Sequence, residues 1–225
     1  MGFSGLPLAS GLALIFDLDG VLVDSMPVHT LAWQRYLEQL GVSKNDVARR
    51  MHGRRNDEIV REFLGPHVPL EAAFEHGAAK ERLFRMMMLG GRLSESLVPG
   101  VAGFLSRAQG VPVALATNAE PANVVFVLDG TGLRRWFHEV VDGSQVKRAK
   151  PEPDVYLTAA ERLKIAPRNC IVFEDSPVGV AAARAAGMRV AGVLTHPEPL
   201  SNIDFAVPDF LHPELESWLA TQRPI

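Results

Sequence analysis

The chain has 225 residues, 47% hydrophobic and 22% charged, an ordinary globular composition and long enough for a substantial core. A net charge of −3 gives no electrostatic basis for binding nucleic acid or an anionic membrane. The single cysteine, Cys170, excludes an intrachain disulfide and any cysteine-rich metal site, and at the head of an apolar run it reads as a buried thiol.

Residues Met1 to Gly11 carry no Lys or Arg and no cleavage pattern, and the following apolar run is too short to span a bilayer, so the chain reads as cytoplasmic and unprocessed. That run, Leu12-Ala13-Leu14-Ile15-Phe16, is expected to be a buried parallel strand. It leads into Asp17-Leu18-Asp19-Gly20. While the backbone stays extended, Asp17 and Asp19 point to the same side and Leu18 turns back to the core, and Gly20 permits a sharp bend. Neighbouring carboxylates repel, so the pair calls for a cation or a proton between them.

After Ser25, a helix is expected from Pro27 to Leu40, with Gly41 just past its end and Trp33, Tyr36, Leu37 and Leu40 on one face. Further helices are expected over about 54–64 and 70–89, separated by Pro66 and Pro69. The run Met86-Met87-Met88 reads as adaptable core packing. From Pro99-Gly100 onward strands and helices alternate. A helix from Val101 to Ala108 precedes a strand at Val113 to Thr117, a helix at about Pro121 to Asp129 and a strand at Glu139 to Val141. A helix at about Pro153 to Leu163, a strand at Ile171 to Glu174 and a helix capped by Ser176 and stopped by Gly187 come next. Strands at Arg189 to Leu194 and Phe205 to Val207 and a helix at Pro213 to Ala220 complete the pattern, that of an α/β doubly wound, Rossmann-like parallel sheet. Roughly ninety residues separate the first two strands, where a crossover needs about a dozen. The excess is helical and reads as a separate domain over residues 26–97, leaving a core of 1–25 and 98–225.

The string Phe16-Asp17-Leu18-Asp19-Gly20-Val21-Leu22-Val23-Asp24-Ser25 resembles the first motif of the haloacid dehalogenase-like hydrolases, most closely their beta-phosphoglucomutase-like branch. The resemblance extends from about Leu12 to about Val207. It implies an α-helical cap on two hinging linkers, Asp17 as a nucleophile that takes up a phosphoryl group, and Asp19 as general acid and base. It also implies Mg²⁺ held by Asp17, Asp175 and the Asp19 carbonyl, with Glu174 as a direct ligand or one step behind. If the strand order is the family's, the first and fourth strands are neighbours and their acidic ends converge at the switch point.

The residue types suit those tasks. An Asp carboxylate can attack phosphorus, and Mg²⁺ favours carboxylate, phosphate and water oxygens. Thr117 and Asn118 end the second strand beside a helix start, where anions are favoured. Lys150 adds a fixed positive charge. In the insert, His29 and the turn His52-Gly53-Arg54-Arg55-Asn56 are candidates to grip the rest of a substrate. Here the chain departs from the sugar-phosphate mutase pattern: His52 stands for a cap lysine, Asn56 for an arginine, and Glu120 for the basic residue that holds a distal phosphate.

The expectation is therefore a Mg²⁺-dependent phosphatase acting on a small phosphorylated metabolite, a monomer or weak homodimer without nucleic-acid or membrane partners. The alternatives are a beta-phosphoglucomutase and, from another class, a non-catalytic phospho-acceptor module. A haloalkanoic acid dehalogenase would give Asp19 and the Mg²⁺ carboxylates no task.

Overall fold

Six short strands, β1 (Ala13–Phe16), β2 (Val113–Ala116), β3 (Glu139–Val141), β4 (Cys170–Glu174), β5 (Arg189–Val193) and β6 (Phe205–Val207), form one sheet in the order β3-β2-β1-β4-β5-β6. Every pairing is parallel. The computed structural model describes residues 5–43, 45–51, 54–196 and 198–225. Among the described residues, ten α-helices accompany the strands: α1 (Met26–Gln39), α2 (Val47–Met51), α3 (Asn56–Leu64), α4 (Leu70–Met87), α5 (Arg92–Glu95), α6 (Val101–Arg107), α7 (Pro121–Gly130), α8 (Asp154–Leu163), α9 (Pro177–Ala185) and α10 (Pro213–Thr221). The expected strands and longer helices are present to within a residue or two at their ends. The short α2 and α5 carry too few residues for a periodic signal and were not foreseen.

The central strands are apolar throughout because both faces of the sheet are covered. Leu14, Phe16, Val113, Leu115, Ile171 and Phe173 face one buried layer, and Ala13, Ile15, Ala114, Ala116, Cys170 and Val172 face the other. Phe16 stacks on Phe173 with ring centroids 4.7 Å apart, packing β1 against β4 directly beneath their acidic ends. Cys170 is buried, and burial pushes its thiol up to about 12.

Helices α1 to α5 make up the insert. Trp33, Leu37, Val47, Met51, Ile59, Val60 and Ala73 form a small core of their own there. The two chain segments that join the insert to the sheet run side by side. Val23 bridges Leu97 in antiparallel fashion, Asp24 donates its backbone N–H to Ser96 at 2.8 Å, and Val98 donates to Leu22 at 3.0 Å. The methionine run divides: Met88 is buried, but Met86 is 68% exposed, because the helix turns its side chain away from the face that carries Phe84. No helix among the described residues is long and apolar enough to cross a membrane.

Candidate active site

The β1–β4 register builds the site. Phe16 pairs with Phe173, so the next residue on each strand, Asp17 and Glu174, emerges at the same edge, and the Asp17 N–H donates to the Phe173 carbonyl at 3.1 Å. Lys150, on the loop between β3 and α8, reaches under both. Its Nζ lies 2.6 Å from Asp17 Oδ1 and 2.6 Å from Glu174 Oε1, and all three side chains are buried. The Lys150 backbone N–H donates to Asn118 Oδ1 at 3.1 Å, so the second strand's end fixes the lysine loop. Thr117 Oγ1 accepts from the Ala119 N–H at 3.1 Å, shaping the turn into α7.

Glu174 is heavily engaged. Oε1 accepts from Lys150 and from the Tyr156 hydroxyl at 2.7 Å, and Oε2 accepts from the N–H groups of Asp175 and Ser176 and from the Ser176 hydroxyl, at 3.0, 3.1 and 3.1 Å. Burial alone raises its proton affinity, but Lys150 and these donors outweigh burial and hold the carboxyl below its ordinary value. Asp17 goes the other way. Burial is the largest influence, Glu174 and Asp175 add repulsion, and Lys150 offsets only part, so the carboxyl is pushed up to about 8. Lys150 is raised, since its two carboxylates outweigh its burial.

One carboxylate oxygen from each of Asp17, Glu174 and Asp175 lies within 4.8 Å of the other two, a set that suits a hard cation such as Mg²⁺. Three acidic groups face one lysine, and repulsion from Glu174 and Asp175 adds to burial in raising Asp17. The backbone makes room for it. Gly20 has φ +78°, and a Cβ there would lie 1.8 Å from Asp175 Oδ2; a Cβ at Gly179 would lie 1.8 Å from Glu174 Oε1. The residues therefore fit a divalent cation. The Asp19 side chain stands outside this cluster.

Asp19 is held from the insert side. Its Oδ1 accepts from Ser25 Oγ at 2.5 Å and lies 3.3 Å from His29 Nε2. Burial would raise this carboxyl, but His29, the Ser25 hydroxyl and more distant Lys80 outweigh it and lower it below the usual range. His29 stacks on Phe84 with centroids 3.7 Å apart, so it addresses Asp19 as a fixed buried ring. Arg54 and Asn56 line the same cavity as Asp17, Asp19, Thr117 and Lys150. The Arg54 guanidinium is paired with Glu58 and Glu62 of α3, and Asn56 donates to Glu81 at 2.7 Å. His52 lies outside the described residues. Glu120, where a basic residue was expected of a mutase, accepts from Arg85 of α4 at 2.6 Å and so ties the insert to α7.

Reasoning from the sequence missed Ser25, Lys80, Glu81, Asn123 and Tyr156 as members of the site. Lys80 and Glu81 left a usable signal: with Ala73, Gly77 and Phe84 they fall on the buried stripe of α4, where charged residues need partners. Tyr156 left none, because a tyrosine among apolar helix positions looks like core.

The family of haloacid dehalogenase-like hydrolases matches residues 12–187. Among curated relatives, the fructose-1-phosphate phosphatase YqaB of Escherichia coli is 34% identical over 184 residues, covering 80% of this chain and 95% of YqaB. The beta-phosphoglucomutase of Bacillus subtilis is 28% identical over 219 residues, covering 92% of this chain and 96% of the relative. A solved haloacid dehalogenase-type hydrolase from Entamoeba histolytica superposes with a TM-score of 0.81 at 24% identity, covering 94% of this chain and all of that one, a likeness of fold. With the family matched over most of its length and the acidic strand ends converging beside Lys150, this chain belongs to the haloacid dehalogenase-like hydrolases.

Proposed function

We propose that this protein is a Mg²⁺-dependent phosphatase that hydrolyses a small phosphorylated metabolite, a sugar phosphate or similar monoester, through an aspartyl-phosphate on Asp17. The observation that carries the reading is the placement of Asp17, buried 2.6 Å from the Lys150 ammonium, in one cavity with Asp19, Thr117 and Asn118. Asp17, as the carboxylate, attacks phosphorus while Asp19, in its protonated form, gives its proton to the departing ester oxygen. Asp19 then takes a proton from the water that attacks the acyl phosphate, which frees inorganic phosphate and restores Asp17. Lys150 and the Thr117–Ala119 turn hold the phosphoryl oxygens. Asp17, Asp175 and the Asp19 carbonyl are the residues to hold Mg²⁺, with Glu174 behind them. When bound, the ion offsets the repulsion between a carboxylate and a phosphate dianion.

Residues 26–97 act as the cap, which covers the cavity and meets the part of the substrate beyond phosphorus. That part of the cavity favours hydroxyl groups over a second anion. Lys80 is already paired with Glu81, and Arg54 with Glu58 and Glu62, so a second phosphate would have to break an existing ion pair. This argues for a one-phosphate substrate and against a mutase, which must bind two phosphates in alternation, although one relative at 28% identity bears the mutase name. One cysteine, buried, agrees with a cytoplasmic setting.

A screen of phosphorylated sugars, sugar alcohols and bisphosphates, with Mg²⁺ and with chelator, tests the proposal. Mg²⁺-dependent release of phosphate from monophosphates is expected. A long-lived phosphoaspartate without turnover, or conversion of one sugar phosphate into its isomer, would replace the reading. Within the cap, Arg54→Ala should lower kcat/KM for the best substrate by a factor equivalent to about 1–3 kcal/mol, the worth of a charged hydrogen bond, and leave p-nitrophenyl phosphate much less affected. Equal losses on both would assign Arg54 to holding α3 through Glu58 and Glu62.

A further inference from the structure

The turn after β1 closes on itself through its backbone. Leu22 and Val23 donate to the Leu18 carbonyl at 2.9 and 3.3 Å, and Gly20 donates to the Val23 carbonyl at 2.8 Å. Gly20 is buried, and no backbone N–H among the described residues serves its own carbonyl. A buried carbonyl needs a partner, and this one comes from two residues past β5. Thr195 Oγ1 donates to the Gly20 carbonyl at 2.6 Å. In the sheet, β4 lies between β1 and β5, so this bond ties the loops on either side of the one that follows β4. Asp175 opens that middle loop. Its carboxylate lies so close to Gly20 that a Cβ there would meet Oδ2 at 1.8 Å.

Gly20 has reason to be tied. With φ +78° and no side chain, it can turn either of its peptide planes at little steric cost. A trans peptide points its N–H and C=O in opposite directions, so the bond to Val23 aims the Asp19 carbonyl away from Val23. The bond from Thr195 fixes the plane that follows. With both planes held, two groups of the metal set named above are held as well: the Asp19 carbonyl, on the first plane, and the Asp175 carboxylate, packed against the Gly20 Cα. The reacting carboxylates are secured by other means. Asp17 pairs with Lys150, and Asp19 Oδ1 meets Ser25 and His29. Thr195 Oγ1 bonds none of these groups.

Resting on the Mg²⁺-phosphatase reading above, we propose that Thr195 is a positioning residue for the metal site: by holding the Gly20 carbonyl, it keeps the Asp19 carbonyl and the Asp175 carboxylate aimed at one point. Mg²⁺ demands near-ideal octahedral geometry, so a small turn of one ligand lowers affinity. The residue lies 175 positions along the chain from the turn it holds, on a loop with no acidic motif of its own.

The test reads metal binding directly, on the full chain without substrate. Mn²⁺, which takes the same oxygen ligands as Mg²⁺, is titrated in and the free ion followed by electron paramagnetic resonance, with Mg²⁺ as competitor. Asp175→Ala gives the reference for a lost ligand. Thr195→Val, close to threonine in shape but without the donor, should weaken binding of both ions about tenfold or more. Thr195→Ser, which keeps the hydroxyl, should stay within about threefold of wild type. At saturating Mg²⁺ the valine variant should recover kcat to within about threefold of wild type with KM little changed, because Asp17, Asp19 and Lys150 keep their partners. Thr195→Ala repeats the measurements if the valine variant does not fold. Unchanged metal affinity without the hydroxyl overturns the proposal and leaves Thr195 as a tie between two loops. A loss of kcat that Mg²⁺ does not repair overturns it too, and places Thr195 in the chemistry instead. A wild-type chain that binds neither ion, or releases no phosphate from any monophosphate, would overturn the phosphatase reading itself.

Discussion

Asp17→Asn should abolish turnover, to below about 1% of wild type, while the fold persists. The amide keeps the volume and still accepts from the Lys150 ammonium, but it cannot attack phosphorus. Loss of charge also relieves a strained arrangement. The wild-type carboxyl is pushed up to about 8 by burial and by Glu174 and Asp175. A group whose value is raised on folding contributes stability that is present at low pH and lost as pH climbs through that raised value. With metal removed, the wild type should therefore lose this contribution between about pH 4 and pH 8, and Asp17→Asn should hold its Tm over the same range. Thermal melts in chelator across that range, beside a phosphate-release assay, check both halves. Residual activity of several per cent would remove Asp17 from the nucleophile's role.

Asp175→Ala and Glu174→Gln should fail in different ways, although the residues are adjacent. Asp175 lies against Gly20 and reaches the acidic cluster directly, so its loss should raise the Mg²⁺ concentration for half-maximal activity about tenfold or more. Both Glu174 oxygens are already taken by donors from Lys150, Tyr156, Ser176 and two backbone N–H groups. A glutamine would point its NH₂ at one of these donor sets, leaving buried donors unsatisfied at about 1–3 kcal/mol. Its signature is a lower Tm and a lower kcat with the smaller shift in Mg²⁺ requirement. Mg²⁺ titrations and melts of the two variants separate the cases, and an unchanged half-saturation in Asp175→Ala would overturn the metal assignment.

The sheet was legible in the sequence because its strands are short apolar runs between capped helices, and such runs have one use in an alternating pattern. Ser176 illustrates the local side: as foreseen, it caps α9, accepting from the Gly179 N–H at 3.1 Å. The convergence of Asp17, Lys150 and Glu174 was legible as order along the chain, but their contact depends on the β1–β4 register, which only the folded sheet fixes. The insert was harder to read. His29 was foreseen as facing a substrate; it lines the cavity, and its ring is set beside Asp19 by the stack on Phe84 and the Lys80 side chain, from residues some fifty positions away. Long-range pairing of this kind leaves no mark on local periodicity. The same holds for Glu120, whose partner Arg85 sits on a helix of the other domain.

The pairing of Val23 with Leu97 has a further consequence. Seen from the sheet, the whole insert is the tip of one long hairpin, whose stem closes before the first insert helix begins. The entropy of closing such a loop grows only slowly with its length, by about 0.6 kcal/mol per doubling. The sheet is therefore nearly indifferent to how many residues the tip contains. If the insert is the cap proposed above, exchanging, lengthening or trimming everything between the two stem strands would rewrite substrate choice, while the carboxylates and Lys150 stay where the β1–β4 register puts them.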